Sequence, residues 1–252
     1  MTHTPHHAIV EPTTLPAAAR SATAARRLYG PERPQPAQFL AVADALPGAS
    51  AIVLDRSMTI LGGTERWFRT HDVRSASAVG QSLRTILASA AGEERIDLAM
   101  RAFETGPMVI RGIRDGVHEM IVVMETQDAG AERLLWMEQL ACALPLDEPE
   151  MRVAHAIHHT WGALKALTPK QLDILRLVGM GLENDRIADL TSLSRRTVEW
   201  HMQGLYESLG AVGRAELARL SLRAGLPTFP VDAWHRMLRA PERLRARQAS
   251  SL

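Results

Sequence analysis

The stretch from residue 167 to residue 226 constrains the fold most, because its helix signals divide it into four short helices. Thr168 can cap a helix in which Gln171 occupies the second position of a capping box. Ser194 can cap a longer helix that runs to Gly210, a natural helix stop. Apolar residues recur at helical spacing in these helices, at Leu172, Leu175, Val178, Val198, Met202, Leu205 and Leu209. The pattern predicts an all-α domain of four helices.

The middle of this domain is typical of a helix-turn-helix, whose second helix enters the DNA major groove by its N-terminal end. The side chains that face away from its apolar stripe are the candidate base-reading residues. They are Arg195, Arg196, Thr197, Glu199, Trp200 and Gln203, with His201 at the edge. Arginine can reach guanine edges or phosphates, whereas Thr, Gln and Glu can read bases. Backbone N–H groups at Ser194 can hold a phosphate, and for Trp200 packing on a neighbouring helix is an equal alternative.

Two runs of sequence, LTPKQLDILRLVGMGLENDRIADL and SRRTVEWHMQGLYESLGAVGRAEL, resemble the LuxR/GerE-type helix-turn-helix. The matching positions are Leu167, Thr168, Pro169, Leu175, Gly181, Asn184, Ile187, Ala188, Ser194, Thr197, Val198, His201, Leu205, Leu209 and Gly210. The resemblance implies a four-helix domain that binds DNA as a dimer and controls transcription. It implies groove-facing roles for Arg196, Thr197, Glu199, Trp200 and Gln203, and contacts to the DNA backbone from Lys170 and Asn184.

Several residues depart from the family pattern. They are Thr191 and Ser192, where leucine and a turn glycine are usual, and Asp185 and Glu199, at positions that are often basic. Eight basic and seven acidic residues between 167 and 226 leave little net charge to attract phosphates. The segment 227–252 adds five basic residues against two acidic ones. We interpret it as a basic C-terminal tail, which is either a solvated end or a supplement to phosphate contact.

The N-terminal half predicts a separate domain that mixes strands and helices. Residues 1–36 hold six of the 14 prolines and are interpreted as a mobile arm. Between residues 37 and 143 the pattern predicts a helix, two strands, several helices and three strands. The strand segments are 51–55, 58–63, 108–113, 118–126 and 133–141, and the most amphipathic helix is predicted over 93–106.

This order of elements, with the runs LDRSMTILGG and VGQSLRTIL, resembles a PAS domain. Asp55 and Ile60 match an early hairpin of that family, and Gly80, Ser82 and Leu83 match the segment after it. The resemblance implies an antiparallel sheet with helices over one face. Such a domain encloses a small-molecule pocket or offers a dimer surface, so it would act as a sensor.

A linker between the two domains, residues 144–166, predicts a helix that begins near Glu150. An apolar seam at 3-4-3 spacing is the candidate dimerisation surface, formed by Ala154, Ile157, Trp161 and Leu164. On the same predicted helix, His155, His158 and His159 could face a metal, but a solvated or interface face is favoured because no acidic or cysteine partner accompanies them. No metal site is therefore expected.

The sequence also favours some function classes over others. The only cysteine, Cys142, excludes a disulfide framework. No nucleophile elbow, phosphate loop or acid–base pair is evident, so we expect neither an enzyme nor a catalytic residue. The 93–106 helix contains no histidine to ligate haem, which leaves His71 and His118 as weak candidates. Cys142 lies at the end of a predicted strand, whereas flavin-linking sensors keep their cysteine in a helical segment, so no cofactor is expected. The N-terminus lacks the order of a signal peptide, which favours a cytoplasmic protein.

The fold class is therefore α+β: a PAS-like sheet domain, a linker helix, and a C-terminal all-α domain. We expect a transcriptional regulator that couples a signal sensed by residues 37–143 to promoter binding.

A phosphorylated receiver domain is disfavoured because no lysine precedes Lys165. A lactone-binding domain is disfavoured because no tyrosine lies between Tyr29 and Tyr206. The alternative is a regulator whose N-terminal domain binds a partner protein and no small ligand. Candidate partners are double-stranded DNA, a second copy of the chain, a small-molecule or protein ligand, and RNA polymerase, with no membrane.

Overall fold

A computed structural model describes residues 34–140 and 151–240 of the protein. Residues 1–33 of the predicted arm, Cys142 and residues 241–252 of the predicted tail lie outside the described residues. Within the described ranges, no helix is both long and apolar enough to cross a membrane.

Five strands that pair antiparallel make up most of the sheet of the N-terminal domain. They are β1 (Ala49–Asp55), β2 (Ile60–Gly63), β3 (Met108–Arg114), β4 (Val117–Asp128) and β5 (Ala131–Leu140). Their order across the sheet is β2-β1-β5-β4-β3. Asp115–Gly116 joins β3 to β4 and Ala129–Gly130 joins β4 to β5, and all four residues have positive φ, as tight hairpin turns require. All five predicted strands are confirmed.

The helices of this domain are α1 (Pro36–Ala45), α2 (Glu65–Thr70), α3 (Ser75–Ala78), α4 (Leu83–Ile86), α5 (Ala90–Met100) and α6 (Ala102–Thr105). Those between β2 and β3 pack on one face of the sheet, where Trp67 and Ile96 join Ile121 and Trp136 in a single buried core. The predicted 93–106 helix is two helices, and it begins earlier because Ser89 caps α5 by accepting the Gly92 N–H. The domain has the PAS-like arrangement that the resemblance implies.

The C-terminal domain contains the four predicted helices. They are α7 (Pro169–Gly179), α8 (Asn184–Thr191), α9 (Arg195–Leu209) and α10 (Arg214–Arg223). Thr168 and Gln171 form the expected capping box, since each side chain accepts the backbone N–H of the other. The predicted apolar stripes meet in one core, to which Leu172, Leu175, Val198, Leu205 and Leu217 contribute with no exposed surface.

The predicted linker helix is wrong in its described part. Arg152–His155 forms a sixth strand, β6, that pairs in parallel with β3, and Gly162–Ala166 is a 3₁₀ turn. The edge of β3 offers unpaired backbone groups, and the chain satisfies them by joining the sheet. The spacing of Ala154, Ile157, Trp161 and Leu164 therefore does not mark a helical seam. Ala154 packs on the N-terminal core, whereas Trp161 and Leu164 are buried in the C-terminal core.

The predicted basic tail is also corrected, because Val231–Leu238 forms a helix, α11. Its buried residues follow helical spacing and are Ala233, Trp234, Met237 and Leu238. The Arg176 guanidinium lies 5.6 Å from the centre of the Trp234 ring, and its Nη2 donates to the Phe229 carbonyl at 2.9 Å. Arg236 lies between these apolar residues, of which Trp234, Met237 and Leu238 pack in the C-terminal core together with residues of α7.

The two domains are in contact around Phe229. Its ring centre lies 6.5 Å from that of His118 on β4, 5.6 Å from that of His155 on β6 and 5.9 Å from that of His159. Gly225, at φ 65°, passes so close to His118 that a Cβ there would lie 2.5 Å from the imidazole. A side chain at that position would separate the domains, so the close approach requires glycine.

Candidate nucleic-acid interface

The turn before α9 is intact although it lacks the usual glycine. Ser192 ends α8 in the left-handed conformation, with φ 53° and ψ 40°, which a residue other than glycine adopts at modest cost. The Leu193 N–H then donates to the Ala188 carbonyl at 3.0 Å. Ser194 caps α9 as predicted, because its Oγ accepts the Thr197 N–H at 3.1 Å. The remaining N–H groups of this first turn form a site where a phosphate oxygen can bind.

Solvent reaches the side of α9 that was predicted to read bases. Val198, Met202 and Leu205 are buried on the opposite side. Arg196, Glu199 and Gln203 are exposed, and Thr197 is partly exposed. Trp200 is 71% exposed, which contradicts the alternative that it packs on a neighbouring helix. Its ring meets the His201 imidazole edge-on, 4.8 Å between centres.

Arg195 forms ion pairs with two acidic residues, Glu199 and Asp185. Its Nε donates to Glu199 Oε1 at 3.0 Å, and its Nη1 lies 3.1 Å from Asp185 Oδ2. The hydrogen bond to Glu199, and then the charge of Asp185, raise the pKa of Arg195 above its ordinary value. Among the described residues, Arg196 has no such ion pair. Of the two arginines, Arg196 is therefore the one whose guanidinium can reach DNA without breaking an internal contact.

Asn184, predicted to contact the DNA backbone, is oriented by α10. Arg214 Nη1 donates to Asn184 Oδ1 at 2.8 Å, and its Nη2 donates to the Leu182 carbonyl. Because the amide oxygen is occupied by an arginine, the amide NH₂ is the end that can donate to a phosphate. Arg214 was missed by the sequence reasoning, because an arginine at the start of a helix resembles any solvated charge.

Lys170 and His201 lie where α7 meets α9. Burial, with a smaller contribution from the Lys170 charge, lowers the pKa of His201 below its ordinary value. His201 is thus neutral at neutral pH and adds no charge to the surface. The two helices approach so closely here that a Cβ on Gly204 would lie 2.8 Å from the Gln171 amide nitrogen.

A family model described as "Bacterial regulatory proteins, luxR family" matches residues 165–221. Residues 165–221 are a LuxR-type helix-turn-helix domain. The matched segment ends within α10, so α11 and its buried Trp234 lie beyond the LuxR-type domain.

Curated relatives resemble part of the chain. A protein of Mycobacterium bovis named as an HTH-type transcriptional regulator is 40% identical over 68 residues, which are 27% of this chain and 7% of that protein. Response regulator Rre1 of Synechocystis sp. is 32% identical over 106 residues, 40% of this chain and 44% of its own length. The chain thus spans less than half the length of either relative.

Solved structures show more distant likenesses. A VqmA–ligand–DNA complex of Vibrio cholerae is 17% identical at a TM-score of 0.44, covering 80% of this chain and 92% of that one. The PAS domain of histidine kinase ThkA is 16% identical at a TM-score of 0.31, covering 36% of this chain and 97% of that one. The ligand and the DNA named here are those of the VqmA complex.

A second group of polar residues lies inside the N-terminal domain, outside the LuxR-type domain and away from α9. Glu138 on β5 accepts hydrogen bonds from the Trp67 and Trp136 indoles at 3.2 and 2.9 Å. It also lies 3.1 Å from His71 Nε2 and 2.9 Å from Arg114 Nη1. Burial acts to raise the pKa of Glu138, but Arg114 and His71 outweigh it and hold that pKa far below the ordinary value. No sequence signal connected these residues, because they come from three separate parts of the fold: α2 with the residue after it, β3 and β5.

Proposed function

We propose that the protein is a transcriptional regulator that binds double-stranded DNA as a homodimer, and that its PAS-like domain senses a signal and adjusts this binding. The observation that carries the proposal is the exposed side of α9. Arg196 and Gln203 are exposed beside the helix N-terminus capped by Ser194, with the core residues on the opposite side. No enzymatic role is proposed, and the site of action would be bacterial chromosomal DNA in the cytoplasm.

Each predicted residue has a role in this proposal. Arg196, Thr197 and Gln203 read base edges, since their side chains carry the donors and acceptors that discriminate bases in the major groove. Trp200 presents an apolar face of the kind that packs on a thymine methyl group. Lys170, the Asn184 amide and the N–H groups beside Ser194 hold phosphates and fix the register of the helix on DNA. Arg195 and Glu199 form an ion pair on the DNA-facing surface, and the His201 ring packs against that of Trp200.

The route from sensor to DNA runs through the segment between the domains rather than through a helical seam. Glu94 on α5 accepts the N–H of Ile157 at 2.8 Å and the N–H of His158 at 2.8 Å. Arg95, the next residue, donates from Nη1 to the His158 carbonyl at 3.0 Å. We call residues 156–160 the connector. Because adjacent side chains of α5 bind the N–H and the carbonyl of one connector residue, His158, a movement of α5 would displace the connector.

The connector in turn adjoins the C-terminal core. The Thr160 N–H donates to the Ile113 carbonyl at 3.2 Å, and the Ile113 N–H donates to His159 Nδ1 at 3.0 Å. Trp161 follows directly and is buried with α7. A signal that moves α5 would therefore change how the C-terminal domain packs on β3, and with it the relative placement of two α9 helices in a dimer.

The test uses purified full-length protein and DNA fragments enriched from a random pool. Fluorescence anisotropy measures the affinity for an enriched fragment and for a scrambled one. The ratio of these two affinities is the discrimination ratio. Arg196→Ala and Gln203→Ala should each cost about 1–3 kcal/mol on the enriched fragment and lower the ratio. Trp200→Ala should lower it mainly at A·T positions. Arg101→Ala, an exposed arginine on the N-terminal domain, is the matched control and should bind as the wild type does. Full discrimination in the α9 variants would overturn the proposal.

A further inference from the structure

Phe229 lies between two helices and outside the LuxR-type domain. It follows α10, beyond the matched residues 165–221, and precedes α11. Its side chain is 1% exposed, whereas its neighbours Thr228 and Pro230 are exposed. A phenylalanine that is buried between two exposed residues has its ring inserted into a contact. The partners of its backbone and of its ring therefore show what the residue joins.

The backbone of Phe229 is fixed to the LuxR-type domain. Arg176 of α7 is buried, and its Nη2 donates to the Phe229 carbonyl at 2.9 Å. The same guanidinium lies against the ring of Trp234, whose Nε1 donates to Asp173 on α7. Because α7 binds both the carbonyl of Phe229 and the helix that follows it, this residue moves with the LuxR-type domain.

The side chain of Phe229 contacts the N-terminal domain instead. Its ring lies at 80° to that of His118 on β4, at 57° to that of His155 on β6 and at 78° to that of His159 in the connector. Steeply inclined rings with centres roughly 4.5–7 Å apart have a favourable aromatic geometry. One residue thus joins two strands and the connector to α7.

A separate contact between the domains lies at the β3–β4 turn. A Cβ on Gly162, in the 3₁₀ turn before α7, would lie 2.5 Å from the Asp115 carbonyl oxygen. His155 pairs with Arg111, four residues before Asp115, which places the Phe229 contact about 13 Å along β3 from the turn, at roughly 3.3 Å per residue. Two contacts at this separation fix the orientation of one domain on the other, whereas a single contact would let it turn.

We propose that Phe229 is a positioning residue: it fixes the direction of α9 relative to the N-terminal domain, and with it the half-site spacing that the homodimer accepts. This inference rests on the regulator proposed above and deepens it. Two DNA-binding modules on a stiff link bind tightly at the one spacing that fits, whereas a mobile link tolerates several spacings. Without the ring, the LuxR-type domain would turn about the contact at the β3–β4 turn, and α9 would no longer point in one direction.

The first measurement uses the full-length protein without DNA. The Ile113 N–H donates to His159 Nδ1 at 3.0 Å, beside the Phe229 ring, so its hydrogen exchange reports opening of this contact. Phe229→Ala should accelerate that exchange about tenfold and leave exchange in α7 and α9 unchanged. An Ile113 exchange rate equal to that of the wild type would overturn the proposal, because the ring would then not hold the domains together.

The second measurement uses the enriched fragment, versions of it with two or four base pairs inserted between the half-sites, and a fragment with one half-site. Each inserted pair moves a half-site by about 3.4 Å and turns it by about 34° around the helix axis. The insertions should lower the affinity of the wild type about tenfold or more, and that of Phe229→Ala about threefold or less. Affinity for the single half-site should be equal in the two proteins, since the change leaves α9 intact. A loss of folding stability would lower the affinity for every fragment, so this difference identifies a positioning role.

A second variant removes the other side of the contact. His155→Ala leaves every residue of the LuxR-type domain in place, so it tests the proposal even if Phe229→Ala folds poorly, and it should show the same tolerance of inserted base pairs. Val231→Ala, on the same C-terminal segment but 58% exposed, is the matched control and should respond to the insertions as the wild type does.

The outcomes separate this proposal from the proposed function. Equal losses on insertion in the wild type and both contact variants would overturn the role of Phe229, since the LuxR-type domains would then set the spacing by themselves. A wild-type protein that tolerates the insertions would overturn it as well. Loss of base discrimination by the wild type on the enriched fragment would instead overturn the regulator, while hydrogen exchange would still report on the contact.

Discussion

Arg195 and Asp185 form an ion pair across the turn of the helix-turn-helix, with Nη1 3.1 Å from Oδ2. The Asp185 carboxylate therefore neutralises the Arg195 guanidinium at the point where α9 would meet phosphates. Both side chains are mostly exposed, at 62% and 72%, so the pair adds little to folding stability. Its main effect would be on the field that DNA meets.

Asp185→Lys should strengthen binding to all DNA sequences alike. The change removes a negative charge, releases Arg195 and adds a cation, so affinity should rise about three- to tenfold at 0.1 M salt, with a salt slope steeper by about one to two. Fluorescence anisotropy over a salt series measures both quantities.

The control for this change is Asp232→Lys, which makes the same alteration of charge at an exposed aspartate of α11 that also pairs with an arginine. It should leave the salt slope close to that of the wild type. An unchanged slope in Asp185→Lys, or an equal increase in both variants, would show that Asp185 does not face the phosphates.

Trp234→Ala should destabilise the protein, because the side chain is 1% exposed and belongs to the C-terminal core. Truncating a buried tryptophan costs about 3–5 kcal/mol, and here the Arg176 guanidinium would also lose the ring beneath it. Urea unfolding followed by circular dichroism measures the loss.

Val231→Ala, on the same helix but 58% exposed, should change the free energy of unfolding by less than about 0.5 kcal/mol. Similar losses in the two variants would mean that α11 is not part of the core.

Local signals in the sequence predicted the local structure. Thr168, Ser194 and Gly210 each act through neighbouring backbone groups, so the caps and the end of α9 could be predicted from a few residues. Trp161 and Leu164 could not be placed in this way. Their 3-4-3 spacing fits a helix, but spacing over two turns cannot reveal that an open edge of β3 will capture the chain or that two different cores will bury its apolar residues.

The candidate site shows the same division. Arg196, Thr197 and Gln203 face away from an apolar stripe that is visible in the sequence, and the structure leaves that side accessible. The polar group around Glu138 depends on side chains from α2, β3 and β5, and on His71 after α2, meeting in space. No spacing rule connects His71 or Arg114 with Glu138, so these contacts could be found only in the folded structure.

Acidification should loosen the contact around Phe229. Burial, and secondarily the charge of Arg111, lower the pKa of His155 below its ordinary value of 6.5. A histidine with a lowered pKa is more easily protonated in the unfolded chain, so its neutral form contributes full stability above about pH 6.5 and this stability is lost as pH falls toward the folded-state pKa. The free energy of unfolding should therefore fall between pH 7.5 and pH 5.5.

His155→Gln should reduce that fall, since glutamine does not titrate. His235→Gln, at an exposed histidine of α11, should retain the pH dependence of the wild type. Urea midpoints at pH 5.5, 6.5 and 7.5 provide the comparison. A pH dependence that is identical in all three proteins would contradict a role for His155 in this contact.

Glu94→Gln should release the connector while the LuxR-type domain stays folded. The carboxylate accepts the N–H groups of both Ile157 and His158, and hydrogen bonds to a charged acceptor contribute about 1.5–3 kcal/mol each. Glutamine keeps one oxygen but places an NH₂ against the second N–H. Amide hydrogen exchange across 156–160 should therefore accelerate about 10- to 100-fold, with exchange in α7 and α9 unchanged. Glu104→Gln, an exposed residue of α6, should leave exchange in the connector as it is. If the connector exchanges at the wild-type rate in Glu94→Gln, α5 does not hold it, and a signal in the N-terminal domain must reach α9 by another route.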